Sequence, residues 1–295
     1  MYNIIKLIRV RQWIKNFFCF APILFAGQLL NTELFTKNIL AFLAFCAVSS
    51  SVYIINDIID VEADRAHKKK RFRPIASGEI SIKQAVIILI IIIAITVLLS
   101  ALINIYFVIT VAAYFIINLL YSIKVKHVVI LDVFFISLGF MLRLIGGAAA
   151  IHVSLSSWMI LTAIFISLFL AISKRRAELS QIEQDNLDKQ RKVLNYYGIE
   201  FTDQMNTIAA TGTIICYALY TVSEKAVSTF HTENLIYTTP FVIYGIFRYL
   251  YLIHQKNLGE SPTQIVTKDI PIMLNTLIWL IVSVFIIYKD KFFNK

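Results

Sequence analysis

The sequence predicts an all-α, polytopic membrane bundle of nine transmembrane helices, and three features predict it. The first is apolarity. Of 295 residues, 58% are hydrophobic, and mean hydropathy is +0.74. That is more apolar surface than a soluble domain buries, so a bilayer has to be the solvent. The second is the shape of the apolar runs. Only helices and closed barrels span hydrocarbon, because every backbone polar group must be satisfied internally. Runs such as AVIILIIIIAITVLLSALI are too long and unbroken for alternating barrel strands. The third is the gathering of Lys and Arg into alternate loops.

In chain order, residues 1–16 come first, with Lys6, Arg9, Arg11 and Lys15 set among Ile, Leu and Trp13. They predict an amphipathic segment lying on an anionic inner leaflet. The expected spans are 17–31, 39–57, 83–102, 105–121, 130–151, 157–173, 206–222, 235–253 and 270–288. The first is short, and Pro22 is expected to kink it. The third and fourth are divided only by INIY, where Asn104 can turn the chain. No internal repeat or low-complexity tract stands out, so 1–295 reads as one integral-membrane domain.

With the N-terminus inside, the inner segments hold 22 Lys and Arg and the outer ones 5; Arg143 lies within a span. The positive-inside rule therefore predicts a cytoplasmic N-terminus in the inner, cytoplasmic membrane, with every charge-rich loop facing the cytoplasm. Cys19, Cys46 and Cys216 sit in apolar segments at wide spacing, which suits small hydrophobes and neither a disulfide framework nor a zinc site. A net charge of +10 follows from orientation and phosphorylated substrates, so no nucleic acid partner is expected. A transporter would also place charge near a membrane. Here the charges gather at one membrane edge, without the inverted repeats or paired broken helices of that class.

Residues 56–78 read NDIIDVEADRAHKKKRFRPIASG. If the second span's helix continues past the membrane edge, Asn56, Asp57, Asp60 and Asp64 fall within an arc of about 100°, and Glu62 points elsewhere. Hard oxygen donors in that stripe suit Mg²⁺, which keeps waters and is shared with substrate phosphates. Arg65, Lys68, Lys69, Lys70, Arg71 and Arg73 follow at once. Carboxylates with Mg²⁺ beside guanidinium groups are a way to hold a diphosphate. The plainer reading of the lysines is a solvated positive-inside loop. It serves the aspartates less well, because carboxylates beside hydrocarbon are costly. His67 reads as loop chemistry.

This stretch resembles the N-D-x-x-D-x-x-x-D…R-P motif of the UbiA superfamily of intramembrane prenyltransferases, and the likeness runs along nearly the whole chain, through YSIKVKHVVILD after the fourth span. Within the superfamily, VRQWIKN, KRFRPIASG, FMLRLIGGAAA and SKRRAEL resemble the decaprenyl-phosphate phosphoribosyltransferase branch most. The resemblance implies a UbiA-like bundle and Mg²⁺ held by Asn56, Asp60 and Asp64, with Asp57 a further ligand or a support for one. Typical members carry a second Asp-rich motif after the sixth span. This chain instead has Lys174, Arg175 and Arg176, with Glu178 one turn on from Lys174. That departure suits a donor with an extra phosphate, such as phosphoribosyl pyrophosphate (PRPP). The alternative is that these cations only flank a span.

Other candidates share the inner face. Tyr121 and Lys124 are i, i+3 at the end of the fourth span, where the family places a Tyr-x-x-Lys pair at its active site. On the fifth span Asp132, Gly139, Arg143 and Gly146 form one stripe. The glycines permit close helix packing, and Arg143 calls for a partner or ligand, either a lipid phosphate or an Asp. Arg11, Lys15 and Asn16 match the family's N-terminal motif. Arg248, Glu260 and Asp269 are expected to hold loop structure. The implied activity is transfer of 5-phosphoribosyl from PRPP to a polyprenyl, decaprenyl-like phosphate, with release of pyrophosphate. In the family that product feeds arabinosyl lipid donors for cell-wall polymers. Arg65, Lys70, Arg71, Arg73 and the 174–176 cluster would hold phosphates, and Lys15, Lys124 or Arg143 would bring the lipid phosphate to ribose C1. The rival within the fold moves an isoprenyl chain from its diphosphate to an aromatic or quinone acceptor.

Overall fold

A computed structural model describes residues 2–67, 70–185, 194, 196–256 and 262–293. These residues are helices and turns, with no strand among them. Seven helices are long and apolar enough to cross a membrane: Thr32–Ile59 (α3), Ile82–Ala101 (α5), Ile105–Ile123 (α6), Leu131–Ala150 (α7), Ser157–Ser180 within the longer Ser157–Asp185 (α8), Asn234–Lys256, and Ile270–Lys289. Ile199–Thr221 (α9) and Glu224–Phe230 (α10), bent by 48° at their junction, make an eighth if counted as one span. Eight of the nine expected spans thus have a counterpart. The span expected at 17–31 does not. Its place is taken by a 3-10 helix, Val10–Phe20, and a five-residue helix, Ala21–Phe25 (α2).

The chain divides into two compact units. Unit 1 comprises Met1–Ile23, Asn31–Ile123 and Leu142–Val153; unit 2 comprises Leu24–Leu30, Lys124–Met141 and Ser154–Lys295.

In unit 1, α3 is the central element. Asn31 caps it by accepting a hydrogen bond from the Leu34 amide at 3.2 Å, and Ser81 and Gln84 form a capping box on α5. Such caps satisfy amides that a helix start leaves open. The N-terminal segment begins with the short helix Tyr2–Leu7 (α1), turns at Arg9 in the left-handed region, and closes against α3. Its 3-10 form has a local reason. Side chains three apart eclipse in a 3-10 helix, which sets residues 13, 16 and 19 in one row. Trp13 Nε1 donates to Ser50 Oγ at 3.1 Å, Asn16 Nδ2 to Cys46 Sγ at 3.2 Å, and Asn38 Nδ2 donates to the Cys19 carbonyl at 3.1 Å. Ser49, Ser50 and Ser51 keep that face of α3 small. Residues 8–20 therefore dock on a helix, while Tyr2, Ile4, Ile5, Lys6, Arg11 and Phe17 of the N-terminal segment stay exposed.

The second half of α7 packs equally closely. A Cβ on Gly147 would stand 2.1 Å from the Cys19 carbonyl oxygen, and one on Gly146 would stand 2.5 Å from the Phe45 ring. Asn104 turns the chain as expected: its Oδ1 accepts from the Phe107 amide at 2.9 Å, and its Nδ2 donates to the Ala149 carbonyl at 2.9 Å.

In unit 2 the principal pairing is α8 with α9, with Gly212 opposite the Phe165 ring. Thr239–Lys256 (α11) adds Tyr249, Leu252 and Ile253 to a core around Phe169 and Ile172. A second core joins Leu24, Tyr220, Phe230 and Leu235 to Tyr288 of the last helix, whose hydroxyl accepts from the Leu29 amide at 2.7 Å.

Candidate active site

The acidic stretch is not one continuous helix, as the stripe had assumed. α3 ends at Ile59, Asp60 turns with φ −91° and ψ 12°, and a short helix, Val61–Ala66 (α4), follows. The amide of Asp60 still reaches the Asn56 carbonyl at 2.9 Å, and that of Asp64 reaches the Asp60 carbonyl at 2.8 Å. The winding therefore survives the break well enough to bring Asp57 and Asp64 together. Both are buried; Asn56 and Asp60 are half-buried at the turn. Glu62 points out and pairs with Arg65 at 2.9 Å.

Two guanidinium groups close on the carboxylates. Arg73 Nη1 donates to Asp57 Oδ1 at 3.1 Å and to Asp64 Oδ2 at 2.5 Å. Arg9 Nη2 donates to the same Asp57 oxygen and lies over the Tyr53 ring at 4.7 Å. The sequence marks Arg9 only as one of the basic residues of the N-terminal segment and gives the site role to its neighbour Arg11. Arg11 is exposed and makes no side-chain hydrogen bond among the described residues. Arg9 acts because its own left-handed turn (φ 53°) swings the chain toward α3.

The donor set suits a hard cation shared with a substrate. Among the described residues, each of Asp57 and Asp64 keeps its second oxygen free of hydrogen bonds, and Asn56 and Asp60 are half-buried. Among the described residues no three His, Cys, Asp or Glu side chains converge as a complete metal cage. Mg²⁺ takes such partial sites, using one or two carboxylates and filling its shell with water and phosphate oxygens.

The rest of the basic loop is spread out. Arg65 Nε also reaches the Ala76 carbonyl at 3.4 Å, so this side chain ties the loop together. Arg71 is exposed over the Phe72 ring at 4.9 Å, and Lys70 is half-buried. Lys68, Lys69 and Glu260 lie outside the described residues.

Deeper in unit 1, Arg143 is buried. Its Nε donates to Asn16 Oδ1 at 2.7 Å and its Nη2 to the Tyr114 hydroxyl at 2.7 Å. Lys15 is half-buried and has no hydrogen-bond partner among the described residues. Burial first, then the positive charge of Arg143 and Arg9, pushes its ammonium down to about 8. Tyr121 is half-buried. α6 ends at Ile123, so Lys124 stands past the helix with φ −127° and ψ −51°, and helical spacing no longer governs that pair.

In unit 2 the SKRR cations have protein partners. Arg175 and Asp132 are fully buried; Arg175 Nε donates to Asp132 Oδ2 at 2.6 Å and its Nη1 to Glu178 Oε2 at 2.6 Å. Lys174 stands 3.9 Å from Glu178. Arg176 donates to Asp203 at 3.2 Å and to the Ile253 carbonyl at 3.2 Å. Tyr197, which no sequence signal marks, donates to Asp132 Oδ1 at 2.7 Å, and burial, then this carboxylate, raises its hydroxyl above the ordinary range. Arg248 pairs with Asp269 at 2.9 Å and lowers its carboxyl.

Residues 17–266 match the UbiA prenyltransferase family. The decaprenyl-phosphate phosphoribosyltransferase of Mycolicibacterium smegmatis is 35% identical over 289 residues, covering 94% of this chain and 90% of that protein. That of Corynebacterium glutamicum is 34% identical, covering 97% and 87%. Among solved structures, a UbiA homolog from Archaeoglobus fulgidus bound to GPP and Mg²⁺ superposes with a TM-score of 0.70 at 19% identity, covering 97% of this chain and 99% of that one. The apolar helices, the acid–guanidinium cluster at the end of α3 and these likenesses agree: the chain is an integral membrane transferase belonging to the UbiA prenyltransferase family.

Proposed function

We propose that the protein transfers the 5-phosphoribosyl group of PRPP to a polyprenyl phosphate and releases pyrophosphate. The observation that carries this reading is the near full-length similarity, at 34–35% identity, to relatives named for decaprenyl-phosphate phosphoribosyl transfer. The geometry of unit 1 supports it, because it supplies what a diphosphate needs. Asn56, Asp60 and Asp64 would hold Mg²⁺, with Asp57 beside them; the ion supplies positive charge where pyrophosphate departs. Arg73 gives only Nη1 to the two carboxylates, leaving Nε and Nη2 to donate to phosphate oxygens. Arg71 and Lys70 add charge from the loop.

In the reaction a lipid phosphate oxygen forms a bond to ribose C1 as the bond from C1 to the pyrophosphate oxygen breaks. The nucleophile is already an anion, so no proton has to be removed, and no Ser–His or His–carboxylate pair is required. Asp57 fixes Arg9 and Arg73 before substrate arrives, so the donors are oriented in advance of charge development. Lys15 carries a cationic group suited to the acceptor phosphate. We assign Arg175 and Arg176 to holding α8 in place, and we orient the N-terminus and the site toward the cytoplasm on the distribution of Lys and Arg.

The test is incubation of the purified protein with radiolabelled PRPP, polyprenyl phosphate and Mg²⁺. Label in the lipid, with stoichiometric pyrophosphate, is expected. Lipid transfer to an aromatic acceptor from isoprenyl diphosphate, with PRPP inert, would overturn the reading.

A further inference from the structure

A cavity of about 380 Å³ in unit 1 is lined by residues of α1, of the turn before α5 and of the first two turns of α5. Ile80, Ile87 and Ile88 give it an apolar side, and Asn3, Glu79 and Gln84 a polar one. The apolar side continues into a face that meets the bilayer. Only 17% of the most apolar stretch of α5 is buried inside the protein, and Ile87, Ile90 and Ile91 are 58%, 61% and 54% exposed. Hydrocarbon is the solvent of that face, and the cavity lies at its edge, where α5 begins.

The polar side is furnished but unpaired. Among the described residues the Asn3 side chain and the Glu79 carboxylate make no hydrogen bond, and Glu79 makes no ion pair, although Lys83 is four positions on. Gln84 spends Oε1 on Ser81 in the α5 capping box, which leaves Nε2 to donate. Glu79 is carried on a folded turn. Gly78 bends the chain with φ 81°, and the Ser77, Gly78 and Ile80 amides donate to the Arg73, Ile75 and Pro74 carbonyls at 2.8, 3.2 and 2.9 Å. Lys83 stands one turn before Ile87, and Lys6 one turn after Asn3; both are exposed and unpaired among the described residues. A lone surface carboxylate needs no explanation. A carboxylate and two open amides at one apolar cavity, with two lysines a turn away, match an amphiphile whose head carries both signs of charge.

We infer that this cavity binds the head of a membrane phospholipid bearing a primary ammonium, of the phosphatidylethanolamine class. The ammonium donates to Glu79, the Asn3 and Gln84 amides donate to phosphate and ester oxygens, and the acyl chains follow Ile87 and the exposed face of α5. An anionic head would set its charge against Glu79, and a choline head has no N–H to donate. Ile80 belongs to the core of Leu7, Ile54 and Ile75; Ile88 packs against that core, as do Ile58 and Val61 on either side of the Asp60 turn. The lipid thus ties α1 to the core beneath the acidic stretch. None of the residues facing the lipid belongs to the acid–guanidinium cluster, so lipid binding is independent of which group the enzyme transfers.

The test is native mass spectrometry and a thermal melt of the delipidated full chain in detergent, with phosphatidylethanolamine, phosphatidylcholine or phosphatidylglycerol of matched acyl chains. Phosphatidylethanolamine should bind about fivefold more tightly than the other two, the most that an ion pair beside water is worth, and should raise the melting temperature. Glu79→Gln should erase the preference and leave the lipid-free melt unchanged, because the side chain is exposed. Glu79→Lys should turn the preference to phosphatidylglycerol. Phosphatidylethanolamine with a photoreactive acyl chain should label residues 79–91 of wild type. Equal binding of the three lipids would overturn the inference, and so would a preference that survives Glu79→Gln or labelling confined to other helices. A wild-type preference for phosphatidylglycerol would give the cavity to an anionic lipid held by Lys6 and Lys83 and end the ammonium assignment. A lower lipid-free melt in Glu79→Gln would make the carboxylate a structural residue and end it too.

Discussion

Arg175→Met separates two roles for the SKRR cations. Were Arg175 a phosphate ligand, its loss would weaken donor binding and leave stability nearly intact. Its surroundings predict the opposite. Arg175 and Asp132 are both fully buried, 2.6 Å apart. Methionine fills much of the same space without charge, leaving Asp132 to Tyr197 alone. Removing one member of a buried pair costs about 3–5 kcal/mol, because the remaining charge stays buried. The second contact, to Glu178, adds little, since that carboxylate is 23% exposed and can be rehydrated. For a chain of this size the loss lowers the melting temperature by on the order of 10 °C. The assay is a thermal melt in detergent without substrate, followed by the fraction that remains monodisperse. Asp132→Asn with Arg175→Met should recover most of the loss, since it removes the stranded charge. A single variant melting within about 2 °C of wild type, with KM for PRPP raised, would refute the structural assignment and return Arg175 to the donor site.

Asp60→Asn should yield a folded membrane protein whose transfer activity is lost at any practical Mg²⁺ concentration; near-normal turnover would end the metal assignment. Lys15 carries a pH signature. Its proton affinity falls from about 10.5 to about 8 on folding, so between those values the unfolded chain binds more protons and stability rises with pH. Lys15→Met should flatten melting curves across that window, and an unchanged slope would show the ammonium to be solvated. Gly147→Ala places a Cβ 2.1 Å from a backbone carbonyl and should cost about 1–3 kcal/mol, read as a lower melt; wild-type stability would mean the Val10–Phe20 segment is free to move.

The acidic stretch illustrates how a motif carries more than its geometry. Asn56, Asp57, Asp60 and Asp64 were recognisable by residue type and spacing, yet the helix they were phased on breaks at Asp60. The stripe outlives the break because backbone bonds of helical spacing cross it. On α7 the phasing held outright: Asp132, Gly139, Arg143 and Gly146 are all buried, as one face of an unbroken helix requires. The segment at 17–31 misled because hydropathy measures apolarity and not backbone form. Trp13, Asn16 and Cys19 form a row only in a 3-10 helix, and their partners on α3 lie 19 to 37 residues away in sequence.

Local information sufficed for the membrane class, most of the spans, the acidic cluster and the family, because bilayer solvation and ligand chemistry are written in composition and short spacing. Which cation meets which carboxylate was beyond it. Arg9 and Arg73 on Asp57, Arg175 on Asp132, and Tyr197 on the Ile130 amide are pairings across 16 to 67 positions. Long-range pairings of this kind depend on how helices pack and on where turns aim them, and packing is a property of the folded chain as a whole.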